Sequence, residues 1–291
     1  MKKIKSLALS TAWLIIGFVI LFGASIALAV LASIYFSLQG VPAVEMQDRY
    51  MEWATKGNGS LLLMVLAYSV FVLVFGLLYY FLIYRKKKGI YSVKEGLCPG
   101  NIGIIIAMAL AGQGVSMVIM NIINIISPAT IKKYSEMVSG IELGKNNPLL
   151  IIFTVSIMAP LAEELLFRGM IYSTMRKAFG FWFTLVFSAI VFGAYHMNLV
   201  QFIYVIPVGI ALGVIYEKTQ TIWASMLFHL AFNSFSYVTD IVLSNMPDIF
   251  NMIFDILCIP LFIICMIKLK KVNRLAEPSM TVKERTEYEE V

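Results

Sequence analysis

Residues 178–216 read AFGFWFTLVFSAIVFGAYHMNLVQFIYVIPVGIALGVIY, 39 residues without an Asp, Glu, Lys or Arg. As one helix they would reach about 58 Å, nearly twice the ~30 Å of a hydrocarbon core. The stretch therefore reads as a hairpin of two membrane spans, turning near Asn198, with Pro207 kinking the second. Further uncharged runs occur at 6–44, 57–84, 96–131 and 219–239. The whole chain is 60% apolar and only 14% charged, whereas an ordinary soluble domain is about 45–50% apolar. Its mean hydropathy of +0.84 points the same way. Strands of alternating polarity, as a β-barrel needs, do not occur.

The expected fold is an all-α polytopic membrane protein with about eight transmembrane helices. Spans are expected near 8–36, 60–84, 100–126, 149–174, 180–197, 200–216, 221–243 and 249–267. Residues 1–147 form an N-terminal transmembrane region, 148–245 a core of about four spans, and 246–291 a last span with a charged tail. The polar loops at about 38–59 and 127–147 are too short to enclose a soluble core. Ala27-Leu-Ala29 resembles a signal-peptide cleavage site, but the apolar run continues through Phe36 and reads as a retained first span. Cys98, Cys258 and Cys265 make no disulfide framework, and the last two, seven apart on one helix, read as packing.

Lys and Arg collect at Lys2–Lys5, Arg85–Lys88, Arg176-Lys177 and Lys268–Arg274, all on one side of an eight-span arrangement. That side, called the basic side below, is cytoplasmic by the positive-inside rule, with both termini there. Lys132, Lys133 and Lys145 lie on the other side. The net charge of +6 is thus a topology signal. It marks no nucleic-acid surface, which needs a basic face on a folded soluble domain. The partners expected are the lipid bilayer and a membrane-associated peptide or protein, and the expected location is a bacterial plasma membrane.

Inside the fourth span lie Glu163, Glu164 and Arg168. A charge at membrane depth costs about 2.5–3.5 kcal/mol on insertion scales, which makes an intramembrane carboxylate a functional candidate. Glu164 and Arg168 are four residues apart and share a helix face, so they can pair. Glu163 is rotated about 100° away. A plain packing ion pair accounts for Glu164 and Arg168 but leaves Glu163 over. The chain holds only two histidines, His196 and His229, and both fall at membrane depth. Asn233 stands one turn beyond His229 on the same face. Two histidines, an asparagine and two carboxylates on neighbouring spans exceed what packing requires.

Three motifs, Glu163-Glu164-x-x-x-Arg168, Phe192-x-x-x-His196 and His229-x-x-x-Asn233, follow one another on successive core spans. In this order they resemble the motifs of the CPBP family, the CAAX prenyl proteases and bacteriocin-processing enzymes also called the Abi family. The approach GVIYEKTQTIWASMLFHLAFN (213–233) resembles the family too, with Gln220 where members often carry Gly. The resemblance spans about 148–245. It implies an intramembrane endopeptidase in which Glu163 and His196 hold and activate water, His229 and Asn233 steady the tetrahedral oxyanion, and Glu164 with Arg168 braces the site. Peptide hydrolysis needs such a base, oxyanion stabiliser and proton donor.

Glu163, His196 and His229 also form a candidate His₂-carboxylate set for a divalent metal such as Zn²⁺. The HExxH pattern is absent, and the same residues can act as a glutamate–water pair. Members of the family are commonly labelled metalloproteases. A different class of function is a non-proteolytic immunity or regulatory membrane protein that binds a partner such as a sensor kinase. The complete set of motif residues favours an enzyme. A transporter using Glu and His as a relay would show inverted repeats, and none is visible. The sites are expected in a water-filled cavity opening towards the cytoplasm.

Overall fold

The computed structural model describes residues 1–56, 59–87, 92–142 and 148–273. The charged tail from residue 274 onward, Lys88 and Lys145 lie outside these. Among the described residues there is no strand. The helices that build the fold are α1 (Lys2–Leu38), α2 (Met46–Lys56), α3 (Leu61–Tyr84), α4 (Pro99–Ile126), α5 (Pro128–Glu142), α6 (Pro148–Arg176), α7 (Phe181–Tyr195), α8 (Leu199–Thr219), α9 (Ile222–Leu243) and α10 (Asp248–Lys268). Seven of them (all but α2, α5 and α7) are long and apolar enough to cross a membrane. With the shorter apolar α7 they make the eight helices of a multi-pass membrane protein. The two loops between spans carry short helices of their own, α2 and α5, which the span pattern alone did not predict.

The hairpin turns where the sequence indicated, and its chemistry explains why. Asn198 caps α8, its side-chain oxygen accepting from the N–H groups of Val200 at 3.0 Å and Gln201 at 3.2 Å. Met197 takes the left-handed conformation with φ of 50°. The turn thereby ends α7 after 15 residues, about 22 Å of helix, short of a ~30 Å hydrocarbon core.

The N-terminal span docks on α6 through small groups. Ser6 donates to the Thr174 carbonyl at 2.7 Å, and Gly17 lies against Leu166 and Phe71. Gly209 and Gly213 face inward rather than outward. A Cβ at Gly209 would stand 3.0 Å from the Ala189 backbone, and one at Gly213 would meet Leu185 at 2.5 Å. Cys258 packs directly on Gly114 where α10 meets α4. One turn earlier on α10, Asp255 is buried with Oδ1 unpartnered, an intramembrane carboxylate that the span pattern passed over.

A polar layer closes the basic side. Arg176 pairs with Glu217 at 2.7 Å, and the Tyr172 hydroxyl donates to the same carboxylate at 3.0 Å. Lys218 donates to the end of α10, to the carbonyls of Met266 at 2.8 Å and Ile267 at 3.0 Å and of the capping Leu269 at 3.1 Å. These carbonyls have no partner within their own helix, and a cation there also offsets the helix dipole. Lys218→Met is therefore expected to lower stability by about 1.5–3 kcal/mol, the worth of hydrogen bonds to a charged group. Thermal unfolding in detergent measures this, and an unchanged transition would show the cap to be dispensable.

Candidate active site

The candidate residues are positioned by an irregular α6. Its segment Ala159–Glu164 is α-helical, but Phe153–Met158 and Leu165–Tyr172 on either side are π-helical. Such wide turns occur often at functional sites. In an i→i+5 ladder the donor due to meet the Val155 carbonyl is residue 160, and Pro160 has no N–H. Asn233 of α9 fills the vacancy, its side-chain amide donating to Val155 at 2.8 Å.

One turn further, Glu164 and Arg168 pair at 2.8 Å, with side-chain exposures of 0% and 1%. The second guanidinium arm donates to the Gly209 carbonyl at 3.2 Å. The same guanidinium lies 4.7 Å over the Phe192 ring. A planar cation with a fork of donors suits this use of edge and face together. Phe192 also stands edge-on to His196, at 5.1 Å between centroids, and to His229, at 5.7 Å. It is the shared wall of the site.

His229 lies between the two carboxylates. Nδ1 is 3.0 Å from Glu164 Oε1, and Nε2 is 3.6 Å from Glu163 Oε2. A carboxylate accepts, so Nδ1 carries a proton. The second contact is too long for a direct hydrogen bond and has the length of a gap that a water bridges. The two glutamates differ in access. Glu164 is sealed, whereas 11% of the Glu163 side chain is accessible.

His196 and Asn233 stand apart from this cluster. His196 caps the end of α7, with Nδ1 2.9 Å from the Phe192 carbonyl. A carbonyl only accepts, so Nδ1–H donates and Nε2 is left without a partner on its own helix. Among the described residues, no hydrogen bond joins His196 or Asn233 to Glu163. The metal set fares likewise: among the described residues, no three His, Cys, Asp or Glu side chains gather closely enough to hold an ion. Glu163, His196 and His229 therefore do not fit a metal in this arrangement, because His229 turns both nitrogens to carboxylates and His196 stays on its own helix.

Sequence reasoning missed a group of tyrosines around Glu163. The phenols of Tyr68, Tyr195 and Tyr204, from α3, α7 and α8, lie within electrostatic reach of its carboxylate. Tyr195 also stacks edge-on against Phe167, 5.3 Å between centroids. Its place beside His196 was the one available signal. The other two come from spans whose neighbours only the fold reveals.

Comparison with known proteins bears on the core alone. Residues 145–235 match a family model described as type II CAAX prenyl endopeptidase Rce1-like. A Bacillus subtilis (strain 168) protein named "Putative membrane peptidase YdiL" is 32% identical over 88 residues, 30% of this chain and 36% of that protein. The match thus spans little more than a third of the relative's length. No solved structure matches the chain.

Proposed function

We propose, from the premise that residues 145–235 are a core of the CPBP family of intramembrane proteases, that this protein hydrolyses a peptide bond in a membrane-associated peptide or protein. The observation that carries the reading is the unequal environment of two adjacent carboxylates. Glu164 is sealed and held by Arg168 and His229, while Glu163 keeps an accessible face next to His229. Two titratable groups pushed into different environments are how one site divides acid from base work.

In this reading Glu163 takes a proton from a water lying between it and His229, and the hydroxide attacks the scissile carbonyl. A proton carried on His229 Nε2, the nitrogen facing Glu163, stabilises the oxyanion and then passes towards the departing amine. His196 presents Nε2 from the rim, where it can help orient the water. Glu164 and Arg168 fix the His229 ring, as supporting groups must for the geometry to be reproducible. Asn233 reaches the oxyanion only after releasing Val155, so in this state it braces α6. No step is routed through a metal.

The direct test compares the membrane proteome of cells carrying the wild type with that of cells carrying Glu163→Gln. A peptide cut only by the former supports the reading, and identical proteomes with an abundant, folded protein refute it. Metal dependence is checked separately. Chelator-treated protein is expected to cleave at the untreated rate. Loss of cleavage restored by added Zn²⁺ would bring the metal set back, with a rearranged His196.

A further inference from the structure

Helix α6 changes character at Glu163. Every residue from 162 to 175 is buried. Ties to α8 follow in turn towards the basic side: Arg168 with Gly209, Ser173 with the Tyr216 hydroxyl at 2.9 Å, and Tyr172 and Arg176 with Glu217. This half is a plug about 18 Å deep. The other half is less enclosed by the protein. Ile152 and Phe153 are exposed, and Val155, Ile157, Met158, Ala159 and Leu161 are partly so.

The neighbouring hairpin falls short on that less enclosed half. Arg168 lies level with Gly209 and Tyr172 packs on Gly213, which puts Glu163 level with about residues 204–207. From there α8 runs only about 8–12 Å to its end at Leu199, whereas α6 runs about 22 Å to Pro148. A step is left beside Glu163. Its rim carries His196 and the exposed apolar side chains of Met197 and Leu199. Over it lies α5, held by the Tyr134 and Tyr204 hydroxyls at 3.1 Å and by Asn198 on Met137 at 3.6 Å. The outward residues of α5, Lys132, Lys133, Ser135 and Glu136, are exposed.

We infer that water and substrate reach Glu163 from the side opposite the basic loops, through the step beneath α5, and that the substrate is a membrane-anchored peptide presented in extended form from that side with apolar residues flanking the scissile bond. This rests on the protease reading and reverses the cytoplasmic opening expected from the sequence. Apolar flanks match the Met197–Leu199 rim. An extended form is needed because helical carbonyls are shielded by their own hydrogen bonds. Substrates of this class enter from the compartment that α5 faces, and tails presented on the basic side are excluded by the plug.

The test uses full-length protein with Cys98, Cys258 and Cys265 replaced by Ala, in vesicles of both orientations, and a membrane-impermeant cationic methanethiosulfonate reagent. Lys86→Cys reports the basic side and Ser135→Cys the opposite one. Glu163→Cys and His196→Cys, each checked for folding by size-exclusion chromatography, are expected to react from the Ser135→Cys side and to be protected from the other. Reaction from the Lys86→Cys side overturns the inference while leaving hydrolysis by Glu163 intact. Protection from both sides overturns the inference and removes the water that the protease reading also needs.

Discussion

Glu163→Gln is expected to cut cleavage by orders of magnitude and to leave the protein folded. Gln matches Glu in size and shape but cannot accept a proton at neutral pH, so the loss is that of a positioned general base, about 10²–10⁴-fold in rate. The fold tolerates the change for an electrostatic reason. Glu163 makes no hydrogen bond among the described residues, and His229 Nε2 stands 3.6 Å from its Oε2. With residue 163 neutral, Glu164 still pairs with Arg168 and still accepts from His229 Nδ1. No buried charge is stranded. The measurement is turnover of the peptide identified by membrane proteomics, alongside thermal unfolding in detergent. Wild-type turnover by Glu163→Gln would move the base elsewhere, with His196 as the next candidate.

The parts of this protein that were legible in its sequence are those the bilayer imposes. A helix must offer about 20 apolar residues to cross, so span positions and the 178–216 hairpin could be read from charge-free runs. The turn was visible because Asn198 is a polar residue in an apolar run and a good helix cap. The Glu164–Arg168 pair followed from spacing within one helix. What was not legible depends on distances between helices. Nothing in the spacing says that His229, rather than His196, sits against Glu163, or that Asn233 turns to Val155. The π-helical turns of α6 were hidden because a uniformly apolar surface carries no periodicity to shift. Only Pro160 hints that the ladder cannot run unbroken there. The shortfall of α7 likewise becomes meaningful only when it is set beside the longer α6.

Arg168→Ala has the largest expected effect on stability. The guanidinium is 1% exposed; its terminal nitrogens reach Glu164 and the Gly209 carbonyl, its face lies on Phe192, and Nε is buried without a partner. Removing it leaves Glu164 ionised in a sealed interior, opens a cavity and unties α6 from α8. Breaking a buried pair by deleting one partner costs about 3–5 kcal/mol. Glu164→Gln strands the opposite charge and loses the acceptor that orients His229, so it should destabilise by a similar amount and also stop cleavage. Arg168→Lys should fall between wild type and Arg168→Ala, because one ammonium cannot serve the carboxylate and the carbonyl as a fork or stack flat on Phe192. The double change Glu164→Leu with Arg168→Met strands no charge within the pair. It should therefore melt above either single variant while remaining inactive, since His229 has lost its Nδ1 partner. Unfolding of all four variants in one detergent decides the matter. If Arg168→Ala melts with the wild type, the pair is not a buried brace. If the double variant melts below both singles, the stability lies in packing around the two side chains rather than in their charge balance.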